Sequence, residues 1–162
     1  MKNLLQKQSV LKVKNFLKTI DPGISLIELK ETARTAEDAA KSLSTDVGSI
    51  VKSLIFKSID DSEYYLFLVS GNKYISIKKI ESILKKEIVK TSAEECKKLT
   101  GFSIGGVSPV SLDKKPNIIF IDSNLKKYSK IYAAAGHPYV VFSITFEKLS
   151  KITDAIVKDF VK

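Results

Sequence analysis

The sequence has one cysteine, one histidine and one arginine among its 162 residues. The single cysteine, Cys96, cannot form a disulfide within the chain, and one histidine beside it cannot complete a zinc-ligand cluster. No apolar run reaches membrane length, the first residues lack the apolar core of a signal peptide, and no Asn-x-Ser/Thr sequon occurs. We therefore expect a cytoplasmic protein with no bound metal, no cofactor and no membrane partner.

The familiar catalytic signatures are also missing. The chain contains no Walker loop, no dinucleotide-binding fingerprint, no metal motif and no serine-hydrolase elbow. It shows no internal repeat, low-complexity segment or linker, so one domain spanning residues 1–162 is the expectation. Hydrophobic residues make up 44% of the chain, which fits a folded protein and is too high for disorder.

Positive charge is abundant and comes almost entirely from lysine. The net charge is +9, and Arg34 is the only arginine among 27 basic residues. A charge of this sign favours an anionic partner, and nucleic acid before membrane because no charged amphipathic helix stands out. Arginine side chains make most of the contacts that read base edges. We therefore expect this lysine-rich chain to contact the backbone or a terminus of a nucleic acid, and DNA is not expected. For any one lysine, simple solvation of a surface is an equally good explanation.

The pattern of apolar residues and turn signals predicts short strands mixed with helices. Strands are expected at 24–29, 50–57, 63–70, 73–75, 87–90, 117–122, 130–134 and 139–144. Helices are expected from a cap at Ser9, from capping boxes at Thr35–Asp38 and Ser92–Glu95, after Ser76, around 146–149 and over 154–160. The first three strands after residue 50 are joined by short turns, which predicts antiparallel pairing. The expected fold is α+β: a single compact domain with a central mixed, mostly antiparallel sheet and surrounding helices.

A glycine-rich loop spans residues 100–110. Gly101, Gly105 and Gly106 place three of the seven glycines within six residues, and Pro109 follows closely. Glycine costs conformational entropy on folding, so such a loop is typical of backbone that must come close to something. Its main-chain N–H groups could bind an anion or a developing oxyanion. The alternative is a tight connection between a helix and a strand, with Gly101 as the helix stop.

Lys52 is the most informative single residue. On a strand it shares one face with Ile50, Leu54 and Phe56, the more apolar of the two faces. A lysine there must extend to solvent, pair with a partner or line a cleft. In a cleft it could meet a phosphate or a carbonyl oxygen, and desolvation would lower its pKa. The alternative is a strand whose face is only partly covered.

Three other residues have two explanations each. His137, in a Gly136-His137-Pro138 turn, is either a surface residue or a group that orients water or a substrate hydroxyl. Cys96 is better explained as a small core residue than as a nucleophile. Asp122 ends a predicted strand and is better explained as a cap than as a ligand.

The order of these features along the chain is more specific than any one of them. Val51-Lys52-Ser53-Leu54 comes first, then Thr100-Gly101 through Gly105-Gly106-Val107-Ser108-Pro109, then Ala135-Gly136-His137. This combination resembles the YbaK/ProX family of aminoacyl-tRNA deacylases, which is related to the editing domain inserted in bacterial prolyl-tRNA synthetases. The resemblance extends from about Ser9 to Phe160. It implies a compact α+β domain with a central mixed sheet that hydrolyses the ester between a mischarged amino acid and the 3′ end of a tRNA.

The resemblance also implies roles for particular residues. Lys52 matches the family's essential lysine, which holds the aminoacyl-adenosine end, and Gly105 matches the functional glycine of the loop. The remaining expected substrate-binding residues are Gly106, Val107, Ser108, Pro109, Gly136 and His137. The histidine is similar to one found in the alanine-specific branch. Two departures weaken a cysteine-specific assignment: Lys30-Glu31-Thr32 stands where some cysteine-specific members carry a tyrosine, and Gly136-His137-Pro138 replaces their Gly-Lys-Arg type of turn.

The expected function is therefore a free-standing trans-editing hydrolase. Its substrate would be aminoacyl-tRNA carrying alanine, cysteine, serine or threonine, with an aminoacyl-tRNA synthetase as a second candidate partner. Two alternatives remain from the residues alone. One is a non-catalytic module that binds a tRNA end or a synthetase, and the other is a regulatory protein that binds a small anion at the glycine loop.

Overall fold

A computed structural model describes residues 3–31, 34–60 and 62–162. Within these ranges the structure contains five α-helices and eight β-strands. The helices are α1 (Gln8–Ile20), α2 (Ala36–Leu43), α3 (Ile77–Leu84), α4 (Ala93–Thr100) and α5 (Phe146–Thr153). The strands are β1 (Leu26–Glu28), β2 (Val51–Ser58), β3 (Tyr64–Ser70), β4 (Ile88–Lys90), β5 (Ile118–Asp122), β6 (Ile131–His137), β7 (Val140–Ile144) and β8 (Ile156–Lys158). None of the described helices is long and apolar enough to cross a membrane.

The described strands form two sheets, which together contain four antiparallel and two parallel pairs. The larger sheet has the order β4-β2-β3-β5-β8, in which β5 runs parallel to both of its neighbours. The smaller sheet has the order β1-β7-β6 and is wholly antiparallel. A single bridge between Ile50 and Tyr132 links the two sheets. The α+β class with a mixed, mostly antiparallel arrangement is confirmed, although the strands divide between two sheets instead of one.

Helix boundaries follow the local capping chemistry. The side chains of Thr35, Ser76 and Ser92 each accept an N–H from the first turn of α2, α3 and α4, and Ser92 completes its capping box with Glu95. Gly101 ends α4 with φ +83°, a conformation that glycine adopts without strain. The predicted cap at Ser9 is wrong, because α1 begins at Gln8 with Lys7 before it and Ser9 lies inside the helix.

Two predicted elements are also wrong. Residues 73–75 do not form a third antiparallel strand, because β5 occupies the second edge of β3 and Ile75 makes only an isolated bridge to Val161. Residues 154–160 are not a helix. Asp154 ends α5 in the left-handed region at φ 55°, and Ile156–Lys158 then pairs with β5 as β8. Thr32, named in the sequence analysis, lies outside the described residues.

The central strand β3 is buried along all seven of its residues and separates two apolar clusters. One cluster lies between the sheets and α1, and it includes Val13, Leu66 and Phe142. The other is aromatic: Phe67 stacks on Phe120 with ring centroids 5.2 Å apart. Because both faces of the larger sheet are covered, the sheet can hold a half-buried lysine on β2 in a fixed position.

Candidate functional site

The principal cleft lies beside β2 of the larger sheet, at the point where this strand separates from the smaller sheet. β4 pairs only with Phe56, Lys57 and Ser58 of β2, and β6 reaches the start of that strand through the Ile50–Tyr132 bridge. Between these two points the edge of β2 borders a cavity of about 370 Å³. A cavity of this volume is within the range of sites that hold small molecules.

The cleft has apolar walls and a polar rim drawn from several elements. The apolar lining includes Ala36, Ala39, Ile50, Val51, Leu54, Ile55, Ile104, Val107, Ala134 and Val141. The polar lining includes Arg34, Thr35, Glu37, Lys52, Ser53, Tyr74, Lys90, Thr91 and Tyr132. A cavity of this kind can orient a ligand with its few polar groups and select it by shape.

Lys52 lines the cleft from β2, opposite Val69 of β3. Its ammonium group donates a hydrogen bond to the Lys73 carbonyl and lies 4.7 Å from the centre of the Tyr74 ring. Burial lowers the pKa of Lys52, while the negative charges of Glu37 and Asp122 oppose the shift. The carbonyl and the ring face hold the cation at the cavity, where it can meet an anionic or carbonyl oxygen of a ligand.

Gly105 also lines the cleft, from the glycine-rich loop. Gly106 N–H donates to the Ser103 carbonyl at 3.0 Å, which closes a turn with Gly105 in its third position at φ +95°. A turn of this shape requires a positive φ there and so favours glycine. The Gly106 N–H is therefore not available to a ligand. Within the described part of the chain, the Gly105 N–H makes no hydrogen bond, which leaves it as a candidate donor.

Of the eight residues predicted for the site, three line the cleft: Lys52, Gly105 and Val107. The other five are Gly106, Ser108, Pro109, Gly136 and His137, and they lie among neighbouring parts of the fold. Gly106 packs on the β6–β7 turn, where an added Cβ would lie 2.9 Å from His137 Cα. Ser108 is fully buried, and its hydroxyl accepts the Val110 N–H. These contacts give Gly106 and Ser108 structural roles in the loop.

Pro109, Gly136 and His137 also have structural contacts. Pro109 is buried and borders a second, smaller cavity. Gly136 has φ +90°, and an added Cβ would lie 2.3 Å from the Ser9 carbonyl oxygen. His137 is the last residue of β6 and not the centre of a turn, and its Nδ1 accepts the Tyr139 N–H at 3.1 Å.

Two further predictions about single residues agree with the structure. Cys96 is buried in the apolar cluster between the sheets and also lines the cleft, but burial raises the pKa of its thiol, which opposes a nucleophilic role. Asp122 accepts the Asn124 N–H as a cap and also the Ser70 N–H from β3. Within residues 3–31, 34–60 and 62–162, no three acidic, histidine or cysteine side chains group as metal ligands would.

The sequence analysis missed several lining residues. Thr35 and Glu37 reach the cleft from the start of α2, and the capping box gave their position in the helix but not what the helix end faces. Tyr74 and Ile104 lie at the cleft with 65% and 58% of their surface exposed. Ser53 lines the cleft too, and its buried hydroxyl has no hydrogen-bond partner among the described residues.

The fold and the cleft together define a small α+β domain that presents a half-buried lysine and a glycine turn to a cavity of ligand size. The sequence identifies the family within this class. The aminoacyl-tRNA editing domain family matches residues 30–152, and the chain belongs to that family.

Relatives and solved structures agree with this assignment. The chain is 28% identical to the uncharacterised protein YwhH of Bacillus subtilis (strain 168) over 126 residues, 78% of this chain and 79% of that protein. It is 30% identical to the proline–tRNA ligase of Lactobacillus helveticus over 156 residues, 96% of this chain but only 25% of the ligase. It superposes with a TM-score of 0.88 and 34% identity on the crystal structure of a protein proposed to be a trans-editing enzyme for prolyl-tRNA synthetase, covering 96% of this chain and 98% of the other.

Proposed function

We propose that this protein is an aminoacyl-tRNA deacylase that acts in trans on mischarged tRNA carrying a small amino acid: alanine, cysteine, serine or threonine. The observation that carries the proposal is the presence of Lys52 and Gly105, from two separate elements, on one cavity. Membership of the editing-domain family supports an aminoacyl-tRNA as the substrate. The whole chain, residues 1–162, would act as one deacylase domain.

An aminoacyl ester is already activated, so the protein needs to position it and stabilise charge more than to supply a nucleophile. Lys52 would hold the nucleotide end of the substrate through its ammonium group. The Gly105 N–H would donate to the carbonyl oxygen as it gains negative charge. A water molecule, oriented by the protein or by a substrate hydroxyl, would attack the carbonyl carbon and lose a proton. The bond to the ribose oxygen would then break, and that oxygen would take a proton.

The apolar walls of the cleft support selection of the amino acid by size. Val107, Ala134 and Val141 contribute short side chains to the lining and offer a larger amino acid no charged partner. A pocket discriminates poorly against a side chain that lacks one methylene, but it can exclude one that is too large. We therefore propose that the cavity accepts several small amino acids and that a surface or partner outside the cavity selects the tRNA.

The net charge of the chain and its sequence relatives indicate the proposed partners. The net charge of +9 supports contact with the tRNA backbone near its 3′ end. A prolyl-tRNA synthetase is a candidate protein partner. Two observations support this proposal: the chain resembles a segment of proline–tRNA ligases, and a structural neighbour has been proposed to be a trans-editing enzyme for that synthetase.

Deacylation of a panel of mischarged tRNAs tests the proposal. Alanine, cysteine, serine and threonine would each be charged to more than one tRNA, and release of the amino acid would be followed with time. We expect turnover of at least one small amino acid and a loss of at least 100-fold in Lys52→Ala, because displacing the reacting group by about 1 Å can cost about 100-fold. Lys158→Ala, an exposed lysine on β8, is the matched control and should keep full activity.

A non-catalytic module that binds a tRNA end is the second candidate, and the net charge favours it equally. It predicts salt-dependent tRNA binding with no cleavage of any ester in the panel. Absence of turnover by folded wild-type protein, together with retained tRNA binding, would reject the deacylase and support the module.

A further inference from the structure

Two large hydrophobic side chains remain exposed at the cleft. Tyr74 is 65% exposed and Ile104 is 58% exposed, and both line the cavity. Single exposed hydrophobic residues are ordinary on protein surfaces, but two that line the same cavity are placed where both can contact one ligand. They come from different elements: Tyr74 follows the turn after β3, and Ile104 is the tip of the glycine-rich loop.

The Tyr74 ring lies beside the ammonium group of Lys52, the predicted catalytic cation. Its ring centre lies 4.7 Å from Lys52 Nζ, and the carbonyl that accepts from Lys52 belongs to the preceding residue, Lys73. A ligand whose charged or polar part contacts Lys52 would therefore bring the next part of its structure to the Tyr74 ring. In a nucleotide, the ribose that carries the charged or polar group also carries a flat aromatic base, and bases stack on exposed tyrosine rings.

Ile104 supplies the second contact. It precedes Gly105 in the turn, so its side chain is held at the cavity by the same backbone geometry that leaves the Gly105 N–H without a hydrogen bond among the described residues. An apolar side chain can cover the edge or face of a base without reading its identity. The combination therefore fits a purine or pyrimidine ring and offers no sequence code, in agreement with the scarcity of arginine.

We propose that Tyr74 and Ile104 form a binding site for the nucleobase that adjoins the aminoacyl ester, with the base stacked on the Tyr74 ring and covered by Ile104. This inference rests on the proposed deacylase function, because the ester lies at the neighbouring Lys52 and Gly105. Tyr74 contributes through its ring face, so its hydroxyl is not required. The two residues are positioning residues: they hold the substrate and take no part in bond breaking.

Steady-state kinetics with one good aminoacyl-tRNA provide the first test. Tyr74→Ala and Ile104→Ala should each raise KM about tenfold, the typical effect of losing one stacking or apolar contact to a base, while kcat changes less than twofold. Tyr74→Phe should match the wild type. Ile59→Ala is the matched control for Ile104→Ala, because Ile59 is 57% exposed but lies just after β2 and away from the cleft lining. KM values within twofold of the wild type for both cleft variants would overturn the inference.

A binding measurement separates this inference from the proposed reaction. Adenosine 5′-monophosphate and ribose 5-phosphate would be titrated into wild-type protein and followed by NMR at the Ile104 methyl groups. We expect tighter binding of the compound that carries a base, and loss of that difference in Tyr74→Ala. Base-dependent binding without deacylation of any tRNA would reject the enzyme and keep the base site. Deacylation with equal binding of the two compounds would keep the enzyme and reject the base site.

Discussion

Gly105 and Gly106 are neighbours in the chain but meet different physical requirements. Gly105 needs φ +95°, and an added Cβ there would make only an ordinary contact, 3.6 Å from Pro138 Cγ. Gly106 has no unusual φ, but an added Cβ would lie 2.9 Å from the His137 backbone. One glycine is required by the conformation of a turn at the cleft, and the other by the close approach of the loop to β6.

Alanine substitutions should separate these two requirements. Gly106→Ala must displace backbone atoms, so we expect it to cost more stability than Gly105→Ala, for which left-handed strain of ~1–2 kcal/mol is the main cost. Gly105→Ala should instead cause the larger loss of kcat, at least tenfold, because the turn that presents its N–H would change. Thermal denaturation and deacylation assays on both variants check this. A larger stability loss in Gly105→Ala would contradict the assignment.

Residue patterns in the sequence predicted some of the residues that line the candidate cleft. They missed the other lining residues for a physical reason. Strand alternation and an apolar face were enough to single out Lys52, and the concentration of glycine was enough to find the loop. Neither pattern says which backbone surfaces meet. The site role that the resemblance implies for Gly136 and His137 likewise carries no information on their position, and the structure packs their backbone against Gly106 of the loop. Tyr74 and Ile104 have no local signature, because their importance comes only from the cavity that they share.

At the scale of elements, α2 connects helix capping with the cleft. Its N-terminal residues Thr35, Ala36 and Glu37 all line the cavity, and Thr35 accepts the Asp38 N–H as the cap. Small residues on its inner face allow close packing: Ala39 and Ala40 are buried with Ile50 at the start of β2. The position of this helix end therefore depends on a cap and on a thin, alanine-rich contact.

Two cap substitutions should have equal structural effects but different functional ones. Thr35→Ala and Ser76→Ala each remove one side-chain hydrogen bond to a helix N-terminus, and each should cost ~1 kcal/mol of stability. Only Thr35→Ala should also lower deacylation, by about threefold to tenfold, because α3 has no residue in the cleft lining. Chemical denaturation and kinetics on the two variants check this, and equal activities would show that the start of α2 does not position substrate.

Element prediction succeeded where the local chain determines the outcome. The caps at Thr35, Ser76 and Ser92 and the stop at Gly101 depend on residues within one turn, and all four are present. The strand β8 was predicted as a helix because its parallel partner β5 lies more than 30 residues earlier in the chain. Pairing with distant residues leaves no local pattern. Conversely, residues 73–75 have the local pattern of a strand, but among the described residues Ile75 forms only an isolated bridge to Val161.

At the scale of the whole molecule, the pattern of short strands mixed with helices predicted the fold class but not the division of the strands. The 44% hydrophobic content indicates only a folded chain, whereas the cleft exists because two sheets meet at one bridge and then separate. The net charge of +9 is likewise a property of the whole surface. It acts over distances longer than the cleft, on any polyanion that approaches.

Salt dependence should therefore distinguish the cleft from the surrounding surface. Each phosphate contacted by lysine releases bound counterions, so two such contacts would raise KM for aminoacyl-tRNA about tenfold between ~50 and ~200 mM salt. Aminoacyl-adenosine, which has no phosphate, reaches the cleft but not the surface, so its KM should change less than twofold over the same range. Because the chemical step lies inside the cleft, kcat for both substrates should stay constant. Equal salt dependence of the two KM values would show that the lysine-rich surface does not contact the tRNA, and that affinity resides in the cleft alone.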